Sequence, residues 1–178
     1  VNDGINGDNC VYLAGTNSGT PWAAKISASG VLTVLSLPNT ASLRFVSRIR
    51  VTSHGRIIIA GATISASLVV AYVPDGSALD LTFGNGTGYY TNANLTGKTI
   101  ADIAINQYDE MFIAYKNGSN IQVDRIEPNG SGLATALWTT GTPGTLTITP
   151  SVAFSTTQIR LFVDETYDNS TYNLIVAA

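Results

Sequence analysis

Cys10-Val-Tyr-Leu-Ala-Gly15 and Arg56-Ile-Ile-Ile-Ala-Gly61 stand 46 residues apart. The same offset carries Ala23-Ala24-Lys25-Ile26 onto Val69-Val70-Ala71-Tyr72 and Gly30 onto Gly76 without a gap. A third copy follows 54 residues later. Glu110-Met-Phe-Ile-Ala-Tyr115 falls on Arg56 to Gly61, and Pro128-Asn129-Gly130 falls on Pro74-Asp75-Gly76. Ile103 and Ile105 fall on Ile49 and Val51. A fainter fourth copy, 48 or 49 residues on, runs through Val152-Ala-Phe154, Ile159 to Val163 and Tyr172 to Ala177. Repetition at this period constrains the fold more than any single motif. Each unit is one supersecondary element that buries its apolar faces only against its neighbours.

The apolar runs are five to eight residues long and are punctuated by Gly, Asn, Asp and Pro. They are rich in Val, Ile, Thr and Tyr, which suit a pleated surface. No amphipathic helical pattern extends beyond two turns, so the chain reads as all-β. In the third unit we expect strand A at Ile100 to Asn106, B at Met111 to Tyr115, C at Ile121 to Glu127 and D at about Leu133 to Thr139. Pro74 and Pro128 end strand C, where a missing N–H does little harm. Asp75-Gly76 and Asn129-Gly130 supply the positive φ of a tight turn. The expected architecture is a β-propeller-like array of about four antiparallel sheets, either partial or four-bladed. The alternative is a β-sandwich, which would pair strands across units instead of within them. The units run at about 1–44, 45–98, 99–147 and 148–178 in a single repeat domain. Their strands count as BCD, ABCD, ABCD and ABC. The chain also opens at Val1. It is therefore expected to be part of a longer chain or of an assembly.

The second unit reads Ile49-Arg-Val-Thr-Ser-His-Gly-Arg-Ile-Ile-Ile-Ala-Gly61 and then Val69-Val-Ala-Tyr-Val-Pro-Asp-Gly-Ser-Ala-Leu-Asp-Leu-Thr-Phe-Gly84. It resembles the bacterial delta-60 repeat, with its strand ending Ala-Gly, its Asp-Gly-Ser turn and its Leu-Asp-x-x-Phe-Gly ending. The likeness is specific over 49–84 apart from an extra Ala78, and is recognisable at 10–30 and 101–130. The third unit departs from it with Tyr115 in place of Gly and without the Phe-Gly ending. The resemblance implies a propeller-like domain of large secreted or surface proteins, with no shared catalytic residues to carry over. Composition adds a second likeness, to phage tail fibres and bacterial adhesins. Charged residues are only 12% of the chain, and there is one Cys, one His and one Met.

The same scarcity narrows the chemistry. The net charge is −3 and the nine Lys and Arg are dispersed, so nucleic acid is not an expected partner. No apolar run is long enough to span a bilayer as a helix. A lone Cys10 makes no internal disulfide, and a lone His54 builds no multi-histidine zinc site. A Ser-His-Asp triad is formally available, but no Gly-x-Ser-x-Gly elbow supports it. The acids Asp164, Glu165 and Asp168, expected on the link between strands B and C of the last unit, form an oxygen-rich cluster. Calcium is the one cofactor such a cluster suggests. Aromatic residues are the stronger binding candidates: Tyr89, Tyr90, Trp22, Trp138 and Tyr167, placed at loops or strand ends. Tyr89 and Tyr90 are expected as an exposed pair, and Trp22 and Trp138 as covers over the gap between adjacent sheets.

The expected function is a non-enzymatic binding or structural module of an extracellular, cell-surface or virion assembly. Its partners would be protein subunits or a surface glycan. The alternatives are a phage tail or virion receptor-binding protein and a glycan-degrading enzyme that uses acidic residues. An enzyme would need two or more acids converging in one cleft.

Overall fold

A computed structural model describes residues 10–37, 43–134, 144–168 and 171–178, without the side chains of 164–168 and 171–173. The chain is all-β: thirteen strands, two short 3-10 turns and no α-helix lie among these residues. They form four antiparallel sheets, each built from strands consecutive in sequence. The first holds β1 (Val11–Asn17), β2 (Thr20–Ile26) and β3 (Leu32–Leu35). The second holds β4 (Phe45–Val51), β5 (Ile57–Ala62), β6 (Ser67–Tyr72) and β7 (Tyr89–Tyr90). The third holds β8 (Ile100–Ile105), β9 (Met111–Asn117), β10 (Asn120–Ile126) and β11 (Thr145–Ile148). The fourth pairs β12 (Arg160–Asp168) with β13 (Thr171–Ala177).

The pairing registers repeat at the offsets seen in the sequence. Val11 faces Ile26, Ile57 faces Tyr72 and Met111 faces Ile126. Each pair follows the last by the sequence offset, first 46 and then 54 residues. The bulge in the second sheet lies between Val46 and Arg48, and that in the third between Ile100 and Asp102, again 54 residues on. The turns match too. The Gly30, Gly76 and Gly130 amides donate to the Ser27, Val73 and Glu127 carbonyls at 2.9, 2.8 and 2.8 Å. All three glycines have positive φ, at 82°, 71° and 65°. In the fourth sheet Leu161 faces Val176, which places that hairpin 50 residues after the third and not 48 or 49.

One expected strand does not form, and the place of another differs among the described residues. Val152 to Phe154 is irregular, with Val152 exposed and the Phe154 ring buried. A fourth-unit strand A therefore does not form. The third sheet closes with β11 at Thr145–Ile148 and not at Leu133 to Thr139. Leu133 makes only an isolated bridge to Ile126, matching Leu79 with Tyr72, and residues 135–143 lie outside the described residues.

The sheets pack face to face in chain order. Ala23 and Leu35 of the first sheet meet Ile57, Ile59, Val70 and Tyr72 of the second. Ile58, Ala60, Val69 and Ala71 on its other side meet Ile103, Met111, Ile113 and Tyr115 of the third. Phe112, Ala114, Ile121 and Val123 on the third sheet's far side meet Leu161 of the fourth and Ile159 just before it. This explains the hydrophobic pattern. β5 and β6 lie between two sheets and are apolar and buried on both faces, whereas in β1 Val11 and Leu13 are exposed and Tyr12 and Ala14 turn toward the second sheet. Each fully buried Ile of β5 and β9 contributes about 1.5–3 kcal/mol through burial. The row does not close on itself among the described residues: the outer faces of the first and fourth sheets stay exposed.

Candidate functional site

The cleft nearest the predicted aromatic pair opens between the second and third sheets, with a volume of about 500 Å³. Gly84, Asn85, Thr87 and Tyr89 to Asn92 form one wall, and Gly130 to Leu133 the other. The side chains of Asn85, Thr87, Thr91 and Asn92 are already committed within the protein. Asn85 Nδ2 donates to the Ser131 carbonyl at 3.1 Å, and the single proton of Thr87 Oγ1 is shared between the Gly84 and Tyr89 carbonyls, at 2.6 and 2.8 Å. Thr91 Oγ1 donates to the Ser67 carbonyl at 3.0 Å. Tyr89 and Tyr90 do not form an exposed pair. Strand alternation sends Tyr89 toward the first sheet and Tyr90 toward the third, where it is buried.

Tyr90 leads instead to a buried polar knot. Asn92 Nδ2 donates to the Tyr90 hydroxyl at 2.5 Å and to Asp124 Oδ2 at 3.3 Å. Tyr115 Oη donates to Asp124 Oδ2 at 3.2 Å, and Thr145 Oγ1 to Asp124 Oδ1 at 2.9 Å. Burial pushes the Asp124 carboxyl above the ordinary range, although these three donors pull it back. Burial likewise pushes the Tyr90 hydroxyl up to about 12, opposed by Asn92 and reinforced by the Asp124 charge. The Tyr115 hydroxyl moves the same way, from burial first and Asp124 next.

Other acids also join sheets. Asp102, on the third sheet, is fully buried and accepts from Arg48 Nε at 3.0 Å and Arg50 Nη2 at 3.1 Å, both on the second. Its second oxygen accepts from the Leu161 amide of the fourth sheet at 3.0 Å. One carboxylate thus ties three sheets. Arg56 binds Asp80 at 2.6 Å and the Pro128 carbonyl at 2.9 Å, clamping the turn of the next unit. Burial raises the Asp80 pKa, but hydrogen bonds from Thr82 and Arg56 outweigh it and hold the carboxyl below its ordinary value.

The formal triad residues meet without triad geometry. His54 Nδ1 contacts both Asp109 Oδ2 at 2.7 Å and Ser53 Oγ at 2.9 Å. A relay needs the acid and the nucleophile on opposite ring nitrogens. The expected calcium acids Asp164, Glu165 and Asp168 lie within β12 and not on a link. Their side chains, and that of Tyr167, lie outside the described residues, as does all of Trp138. Among the described residues no three His, Cys, Asp or Glu gather as a metal site. No helix among them is long and apolar enough to cross a membrane.

Trp22 does not cover a gap between sheets. It pairs with Gly15 on the outer face of the first sheet, its indole against the glycine. The cross-strand partners fix the rest of that face: Val11 with Ile26 and Leu32, then Leu13 with Ala24 and Val34. From Val11 to Gly15 and from Trp22 to Ile26 every residue on it is apolar or Gly, and the polar pair Asn17 and Thr20 closes its hairpin end. Val11, Leu13, Trp22, Leu32 and Val34 are between 40% and 69% exposed. The reasoning from sequence missed this surface, although the signal was present. β1 and β3 carry apolar residues at both parities, as a strand covered on two sides does. It also missed Asp124, whose signal is a carboxylate at the position held by Val70 one unit earlier. No family model, curated protein or solved structure matches the chain.

Proposed function

We propose that the chain is a non-enzymatic, propeller-like interaction module of an extracellular or surface assembly. Its working surface is the outer face of the first sheet, and its partner is protein. The observation that carries this reading is the contiguous apolar face of Val11, Leu13, Trp22, Leu32 and Val34. Exposed apolar patches of this kind mark interaction sites, and an accessible Trp is a frequent anchor. Superposable units stacked in chain order, with pairing inside each unit, support a propeller-like arrangement. The resemblance of 49–84 to the delta-60 repeat points the same way. Asp102 and Asp124 sit in different places and satisfy partners inside the fold, as structural ties do.

The test separates face from core. At high dilution, Val34→Asp and Leu13→Asp should leave the unfolding free energy within about 0.5 kcal/mol of the parent, as exposed positions do. Leu35→Asp, on the inward face of the same strand, should abolish folding. Equal damage from both kinds of change would mean that the outer face is internal core. Release of reducing ends from polysaccharides by the intact chain would overturn the non-enzymatic reading.

A further inference from the structure

The two exposed faces at the ends of the row differ in kind. In the second and third sheets, Ile57 with Ile59, and Met111 with Ile113, face the preceding sheet. Ile58 with Ala60, and Phe112 with Ala114, face the following one. Register places Val11 and Leu13 at the positions of Ile57 and Ile59, so the first sheet exposes a face of the kind that receives a predecessor. Leu161 and Val163 of the fourth sheet turn inward to the third. Phe162 and its cross-strand partner Ile175 therefore expose a face of the kind that receives a successor.

We propose that these two faces meet between copies of this chain. The outer face of the first sheet takes the fourth sheet of a second copy, head to tail. The proposal rests on reading the first face as an interaction surface and adds the identity of the occupant. The argument is continuity. Three sheet-on-sheet interfaces already join a successor-type face to a predecessor-type face, and the free ends offer one of each. A second copy supplies the missing half with no new kind of contact. Such a contact is heterologous, joining different patches, so the copies close into a ring or continue as a row.

Cysteine pairing tests this directly in the full chain with Cys10→Ser as background. Leu13→Cys chains mixed with Phe162→Cys chains should form a mixed disulfide dimer, and neither variant alone should dimerise with itself. In sedimentation velocity the parent should show species of two or more chains. Leu13→Glu or Phe162→Glu should each weaken that association about a hundredfold or more, because a lone charge is buried at the contact. Circular dichroism of each variant should match the parent. A parent that stays monomeric at all concentrations, or Leu13→Cys chains that link to each other, would overturn the proposal. A monomer with an intact fold would leave the interaction-surface reading standing. Loss of fold in Leu13→Glu at high dilution would overturn both.

Discussion

At Gly130 the backbone sits at φ 65°, and a Cβ there would run into the Phe83 ring of the preceding unit. Gly30 occupies the equivalent turn at φ 82°, with open space around it. The two positions separate backbone strain from packing. Gly30→Ala should cost about 1–2 kcal/mol, the strain of a left-handed residue. Gly130→Ala should cost about 2–4 kcal/mol, because the ring must also move. Urea unfolding midpoints measure both, and equal losses would contradict the role given to Phe83. Asp102→Ala should cost about 3–5 kcal/mol, since it leaves Arg48 and Arg50 facing a vacated buried partner. A loss below about 1 kcal/mol would show that the tie between three sheets is unimportant. Asp124 adds a pH dependence with a definite sign. Its pKa is raised by folding, so its contribution to stability is fully present below the ordinary aspartate value of about 4. That contribution is lost as pH rises through the higher folded value. Asp80 works oppositely. Its lowered pKa stabilises the fold above the ordinary value, and the gain is lost as pH falls through the folded one. Asp124→Asn should flatten the decline above about pH 4 in stability measured by urea titration. An unchanged profile would contradict the assignment.

Among the elements, β5, β6, β9 and β10 have neighbours on both edges and on both faces. Their amides should exchange most slowly, while β3 and β13, at sheet edges, should exchange faster. Ile113→Ala in β9 should cost about 2–5 kcal/mol. The covered strands were the legible ones. Ile57 to Gly61 and Met111 to Tyr115 are continuous runs without a charge, and Pro-Asp-Gly or Pro-Asn-Gly ends the strand that follows each, so strand and register follow from residue pattern. The last strand of each four-stranded sheet was harder. β7 is two residues long and β11 begins well after its predicted place, because long connections separate both from their partners. Val152 to Phe154 has the apolar content of a strand, yet Lys116 Nζ donates to the Phe154 carbonyl at 2.8 Å and lies over its ring at 4.8 Å. Tyr89 and Tyr90 looked like an exposed pair for want of one fact, that they belong to a strand and must face opposite ways.

For the whole molecule, four sheets stack in the order in which the chain makes them. Hydrophobic faces join each neighbouring pair, and Asp102, Arg56 and the turn glycines reinforce the row. The repetition in the sequence carried this much of the architecture, because one unit cannot bury both of its faces alone. The two-sided apolar character of β1 and β3 was legible, but not that their outer face is exposed, since a strand pattern reports that residues are apolar and not what covers them. The most direct test of the stacking is methyl nuclear Overhauser contacts in the chain labelled at isoleucine and leucine. Ile58 should contact Ile103 or Ile113 of the third sheet, while Ile57 and Ile59 contact the first sheet's side of the second and no methyl of the third. Contacts from Ile57 or Ile59 to Ile113, or from Leu13 to Ile113, would contradict the order of the sheets and the account built on it.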